Sequence, residues 1–398
     1  MVRGAVKTLK DPTRMPLPVP PEALRVGPLR AGAFTSRLHS ERVAALLGTW
    51  LGITFTTCMV TGLYSHFVQH PPAGIAFPSR PVALYRVTQG LHVISGIAAV
   101  PMLLAKLFTV YPKLFTWPPA KDVRHGVERA SLLLLVGGSV FQLATGVMNI
   151  FQWYAFGFFF TTVHYWSAWV TIGAMVAHIG TKLPLARRGL ARSSLVLDPE
   201  PAGHGLSRRG FLTATGVASG AVVLATAGQT VTPLGGLSVL SPRRPGTGPQ
   251  GLPVNKTAAS AGTRGIGSAY RLVVEGPTRL ELSLTDLQAM PQTTVTLPIS
   301  CVEGWSASAS WTGVRLHDLL RLVGSDGGQP VRVDSLEQHG PYRSSMLFHP
   351  HNRDPLTLLA LRLDGAELHP DHGFPLRLIA PNRPGVLQTK WVGRVVVL

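Results

Sequence analysis

Cys301 is one of only two cysteines in the chain. It follows the strand-like run Thr294-Val295-Thr296-Leu297-Pro298-Ile299 and precedes Val302-Glu303-Gly304-Trp305. Taken alone, a cysteine at a strand end is a small buried hydrophobe. Here it heads a constellation, because His372, Arg377, Arg383, Lys390 and Arg394 follow, with Asn382, Pro384 and Gly385 between them. A thiolate suits a soft or high-valent metal, while cationic forks and backbone amides at glycine turns bind phosphate. Together they point to a phosphorylated metal cofactor. The other cysteine, Cys58, lies in an apolar stretch, so neither a zinc site nor a cysteine-ligated iron–sulfur cluster can be assembled.

Histidines form a second set. His164 and His178 stand 14 residues apart in one apolar segment; on a helix they share a face to within about 40° and are separated by about 21 Å. Ionisable groups at membrane depth are costly and usually functional. This separation suits two stacked b-type haems, one near each leaflet, with His92 facing His164 and His39 facing His178. Bis-histidine ligation leaves no open position and favours electron transfer. His66 is a rival outer ligand beside His70, and His125 is expected in a solvated basic loop. Any of these imidazoles could instead only hydrogen-bond at the membrane surface. Gly90, Gly96, Gly146 and Gly173 would allow a porphyrin or a neighbouring helix to approach closely.

The elements that must position these groups are apolar. Segments 43–67, 88–111, 130–151 and 161–183 are each long enough to cross roughly 30 Å of hydrocarbon. Arg37, Arg42, Lys106, Lys113, Lys121, Arg124, Arg129, Lys182, Arg187, Arg188 and Arg192 lie on one side, against Arg80 and Arg86 on the other. The positive-inside rule therefore places the N-terminus in the cytoplasm. Ser207-Arg208-Arg209-Gly210-Phe211-Leu212 precedes a fifth apolar run, 213–231, and reads as an internal twin-arginine export signal. That signal predicts a folded cofactor domain after residue 231, outside a bacterial plasma membrane. Ala225-Thr226-Ala227 resembles a signal-peptidase site, but an uncleaved anchor is expected.

The expected organisation is a tail (1–37), a four-helix transmembrane domain (38–190), a signal and anchor (205–232), a linker (233–264) and an α+β domain (265–398) of alternating strands and short helices. With 45% hydrophobic and only 14% charged residues, the composition suits a multi-domain protein in a lipid bilayer. The net charge of +18 is explained by loop topology, which removes the argument for nucleic acid.

Arg37-Leu38-His39, Gly90-Leu91-His92 and the His164/His178 pair resemble the membrane cytochrome b subunits of formate dehydrogenases and nickel–iron hydrogenases. That resemblance, over about residues 36–184, implies His39 and His178 on the inner haem and His92 and His164 on the outer one. The second half, from Gly267 to Leu398, resembles the molybdopterin-binding domain of the sulfite oxidase family. Its motifs are Cys301-Val302-Glu303-Gly304-Trp305, Trp311-Thr312-Gly313-Val314, Asp371-His372-Gly373-Phe374-Pro375-Leu376-Arg377 and Lys390-Trp391. The resemblance implies that Cys301 ligates molybdenum, and that His372, Arg377, Asn382, Arg383 and Lys390 hold the pterin and its phosphate. Asn255 and Thr257 either reach the pterin or serve a plain loop.

Sulfite oxidases proper continue from the cysteine with an arginine-bearing segment, whereas here Arg315 is the next arginine. The chain looks closer to the bacterial branch containing periplasmic methionine sulfoxide reductase. Glu303, Trp305, His339, Tyr342 and Arg343 are candidates to line the substrate pocket, or else satisfied polar and packing residues. The expected activity is oxygen-atom transfer on a small S-oxide or oxyanion, with haems exchanging electrons with the quinone/quinol pool. A quinone-reducing sulfite dehydrogenase is the alternative within this chemistry. A haem module carrying a non-catalytic binding domain is the alternative outside it.

Overall fold

The computed structural model describes residues 22, 25–30, 32–117, 120–191, 205–244, 246–267 and 269–398. The expected tail falls mainly outside them, and Arg192 wholly so. Five long helices come first: α1 (Glu41–Gln69), α2 (Leu84–Val110), α3 (Val123–Phe151), α4 (Phe160–Leu190) and α5 (Arg208–Ala227). The hydroxyls of Ser40 and Ser207 accept from the amides of Val43 and Gly210, satisfying first-turn donors of α1 and α5.

Four helices among the described residues are long and apolar enough to cross a membrane, beginning at Glu41, Leu84, His125 and Arg208. Helix α4, expected as the fourth span, has the length but not that apolarity. Its run of His164, Ser167, Thr171, His178 and Thr181 dilutes the aliphatic residues. His125 lies in the first turn of α3 rather than in a loop.

The chain divides into two compact units, 1–59 with 95–149 and 153–222, and 60–94 with 150–152 and 223–398. In the first, Val43, Leu47 and Ala105 pack with Phe211 and Leu212, and Leu51, Ala99 and Leu103 pack with Phe55 and Leu143. Trp50, Leu104, Leu133 and Val176 stay exposed, as suits helices surrounded by lipid. Arg208 donates to the carbonyl of Arg37, and Arg37 donates to that of Leu206.

The second unit holds α6 (Ala258–Ala261), β1 (Arg271–Glu275), β2 (Arg279–Ser283), α7 (Leu284–Ala289), β3 (Thr293–Ser300), β4 (Ser306–Arg315), α8 (Leu316–Leu322), β5 (Val331–Ser335), β6 (Ser344–Leu347), α9 (His349–Asn352), β7 (Leu358–Leu363), β8 (Ala366–Glu367), β9 (Arg377–Ile379) and β10 (Val392–Val397). One sheet runs β2-β1-β10-β5-β6, in which only β1 and β10 are parallel; the other runs β3-β4-β7-β8 with β9 also on β7. Alternation in Arg271-Leu272-Val273-Val274-Glu275 turns Leu272 and Val274 inward. They join Leu316, Leu319, Leu320, Val333, Val392 and Val395 in one core. Each such burial contributes about 1.5–3 kcal/mol. Helix α7 starts with a capping box between Ser283 and Asp286. A second core packs Leu297, Ile299, Cys301, Trp305, Trp311 and Ile379 together.

Candidate cofactor site

Strands β3 and β4 form a hairpin whose five-residue connection, 301–305, carries Cys301. The amide of Cys301 donates to the carbonyl of Trp305 at 2.9 Å, and that of Gly304 to the carbonyl of Cys301 at 3.0 Å. Gly304 has φ of +89°, and a Cβ there would lie 2.9 Å from Cγ2 of Val93, so both the turn and its neighbour require glycine. Further partners fix the loop from outside: Ser306 donates to the carbonyl of Gln229 at 2.7 Å, Thr230 to that of Gly304, and Gln89 to that of Val302 at 3.4 Å.

The end of β3 that leads into Cys301 meets the C-terminal turn through a bridge between Ser300 and Pro384. Topology, not sequence spacing, thus brings Cys301 to the cation-rich stretch. Arg377, on β9, is 3% exposed; its guanidinium lies 5.3 Å from the Trp311 ring, donates to the carbonyl of His372 at 3.2 Å, and has Nε buried without a partner among the described residues. Arg383 donates to the carbonyls of Leu387 and Met346 at 3.0 and 2.8 Å. Lys390 donates to those of Lys256 and Asp371 at 2.9 and 2.8 Å.

Among the described residues none of these three cations has a carboxylate in ion-pair contact. Burial pushes Arg377 and Arg383 down to about 10 and about 9, and burial followed by Arg377 lowers Lys390 well below its ordinary value. Buried cations that answer only to carbonyls favour an incoming anion.

Burial first, then the Glu303 carboxylate, raises the Cys301 thiol, while Arg243 and Lys390 pull it down. The thiol is therefore protonated until a metal displaces its proton. No group of three or more His, Cys, Asp or Glu among the described residues is placed to hold a metal. A cofactor would supply the other ligands of a metal on Cys301, and the Arg377 Nε and the cations without carboxylate partners among the described residues fit an anionic one.

His372 is buried and donates from Nε2 to the carbonyl of Pro249 at 2.7 Å. Burial, then Arg377, lowers it to about 4; burial, then Arg383, does the same to His351. Both titrate in the unfolded chain near the ordinary 6.5, so between that value and about 4 the unfolded state takes up protons that the folded state refuses. Stability is full above pH 6.5 and falls on acidification, by roughly 3 kcal/mol per histidine once pH drops below 4. Thermal unfolding followed from pH 7.5 to 4.5 checks this. The H351Q/H372Q protein is expected to lose less stability than the wild type, and an equal loss would refute the assignment.

Other predicted residues take different places. Asn382, with φ of +49°, accepts from the amide of Tyr85 at 2.8 Å and donates to the carbonyl of Pro78 at 2.8 Å, so its amide anchors the 78–85 segment. Asn255 accepts from the amide of Lys256, and Thr257 caps α6 by accepting from Ser260. Trp305 is buried and donates to Glu303 at 3.2 Å. Tyr342 is half-buried, whereas His339 and Arg343 are exposed in the β5–β6 connection.

Three residues around the cysteine were missed. Tyr85 is 1% exposed and within electrostatic reach of both Cys301 and Tyr342. Gln152 donates to Glu303, and Arg243 pairs with that carboxylate at 3.6 Å. No local motif marks them, because their meeting depends on sequence separations of 60 residues and more.

In the helical unit, His164 Nδ1 lies 2.9 Å from Oγ1 of Thr145, whose own proton goes to the carbonyls of Phe141 and Gln142. With its proton directed to those carbonyls, the threonine oxygen is placed to accept from an Nδ1–H of His164. His39 has Nδ1 3.2 Å from the carbonyl of Thr109, which selects the same tautomer. His178 Nδ1 is buried without a partner among the described residues. In the other unit, His92 Nδ1 lies 3.2 Å from Oγ1 of Thr61, and a Cβ at Gly62 would come within 3.0 Å of its ring.

Residues 262–398 match the family described as oxidoreductase molybdopterin binding domain. Sulfite oxidase of Arabidopsis thaliana is 30% identical over 151 residues, covering 30% of this chain and 38% of that protein. Sulfite oxidase of Gallus gallus is 33% identical over 163 residues, covering 33% and 35%. The putative protein-methionine-sulfoxide reductase subunit YedZ1 of Azospira oryzae is 32% identical over 136 residues, covering 33% and 49%. The chain thus spans about a third to a half of the length of these relatives.

Proposed function

We propose that this chain, whose residues 262–398 carry a molybdopterin-binding domain of the sulfite oxidase family, is a membrane-bound oxidoreductase that transfers an oxygen atom to or from a small substrate. The observation that carries the reading is Cys301, held in a closed turn beside buried cations that have no carboxylate partner among the described residues. Cys301 would hold molybdenum, and Arg377, Arg383, Lys390 and His372 would hold the pterin and its phosphate. When bound, this cofactor supplies two-electron oxygen-atom transfer. The core around Trp305 and Trp311 keeps water from the thiolate side of the site.

His39, His92, His164 and His178 would hold two b-type haems, which supply one-electron transfer to or from quinone. The contacts of His164 with the Thr145 hydroxyl and of His39 with the Thr109 carbonyl support this reading, because each holds an imidazole through Nδ1. Twin-arginine export and an extracytoplasmic C-terminal domain belong to the same reading. A reductase acting on S-oxides is preferred. The names of the plant and avian relatives favour sulfite oxidation as the second reading.

The deciding experiment is molybdenum and haem b per chain for the full-length protein in mild detergent. One molybdenum and two haems are expected. In Thr145→Val, loss of the partner for His164 should weaken haem affinity about 10–100-fold, lowering the reduced-minus-oxidised haem signal at unchanged molybdenum. A fully matured wild type without molybdenum would end the oxidoreductase reading, and an unchanged haem signal would end the role given to Thr145.

A further inference from the structure

We infer that the Arg243–Glu303 ion pair presents substrate with a charge-neutral surface beside Cys301, and so selects an uncharged oxygen donor of the S-oxide class over an oxyanion. The inference rests on the reading of Cys301 as the metal ligand.

Glu303 stands two residues from Cys301, inside the turn closed by the Cys301–Trp305 backbone hydrogen bond. Its carboxylate accepts from the Trp305 indole at 3.2 Å and from the Gln152 amide, and Arg243 Nε lies in ion-pair contact with it at 3.6 Å. Arg243 is held in turn, donating from Nη1 to the carbonyl of Ile150 at 3.2 Å. The two side chains are 17% and 8% exposed, so solvent screens their mutual attraction only weakly.

The charged groups that act on Cys301 divide by partner. Lys390 and Arg377 answer to backbone carbonyls and await an anionic cofactor. Arg243 is the one already matched by a carboxylate among the described residues. A second anion near Arg243 would meet Glu303 as well, and the repulsion cancels much of the attraction. An S-oxide carries a strong dipole and no net charge, so it keeps hydrogen bonding without that repulsion. Burying a pair of opposite charges costs desolvation; a purely structural tie at this turn would be met equally well by a neutral amide.

The test compares dimethyl sulfoxide with methanesulfonate, a neutral and an anionic ligand of similar size. Binding is measured by calorimetry at low ionic strength on the full-length protein, with molybdenum quantified in every preparation. Wild type is expected to bind dimethyl sulfoxide at least about tenfold tighter, a difference of ~1.4 kcal/mol. Glu303→Gln leaves Arg243 uncompensated and should gain about tenfold or more for methanesulfonate, and R243Q/E303Q should lose that gain.

A wild type that prefers methanesulfonate, or an E303Q protein with no gain, overturns the inference. Should E303Q fail to accumulate, the wild-type comparison decides alone. A molybdenum-free wild type would overturn the proposed function, while the methanesulfonate gain in E303Q remains readable as a test of the charge pair.

Discussion

Cys301→Ser is expected to leave the purified protein without molybdenum and without measurable turnover. The loss should exceed the ~10–100-fold typical of removing an outer partner of a metal site, because the change removes the ligand atom itself. A serine hydroxyl is harder and far less acidic than a thiol, and at 1% exposure it gains no water to stabilise an alkoxide. The surrounding turn should survive, since its two closing hydrogen bonds are made by backbone atoms. Elemental analysis beside a thermal melt separates the outcomes. Metal loss with an unchanged melt supports ligation by Cys301. Full molybdenum in the variant would show that the thiolate is not the ligand.

Gly313→Ala should be the most damaging single-methyl change in the C-terminal domain. A Cβ at residue 313 would sit 2.1 Å from the carbonyl oxygen of Leu359 and 2.6 Å from Cα of Ala360. Both obstacles are backbone, where β4 pairs with β7 and the register shifts between Thr312 and Gly313. A bulge of this kind lets two strands approach only because one residue lacks a side chain. Relief requires β4 to move off β7, which would carry Trp311 away from the Arg377 guanidinium. The expected cost is roughly 3 kcal/mol or more, read as a fall in the domain's melting temperature of roughly 10 °C. Gly216→Ala is the control, since a Cβ there meets nothing within 4 Å and the position lies in α5. Equal melting of G313A and wild type would refute the packing argument.

Much of this protein is legible as side-chain chemistry. The long helices follow from apolar runs, and the strands at 293–300 and 331–335 from β-branched alternation. Cys301 and the arginines and lysine after it stand out because few residue types can bind a metal thiolate or a phosphate. Strand β4 was less legible. Its Ser306-Ala307-Ser308-Ala309-Ser310 start offers little apolar periodicity and low strand propensity, so pairing with β3 and β7 on both sides establishes it.

By itself, the sequence determined which groups are able to do chemistry and which segments are apolar enough to meet lipid, since these depend on residue type and short-range period. Only the tertiary structure decided what those groups face. Asn382 turned out to spend its side-chain amide on the backbone of the 78–85 segment, a choice of partner that residue type does not specify. Glu303 found Arg243 and Gln152, and Cys301 found the C-terminal turn through the Ser300–Pro384 bridge. The physical reason is common to all three: hydrogen bonds and ion pairs act over a few ångströms, and which distant residues come that close is settled by how strands pair and cores pack.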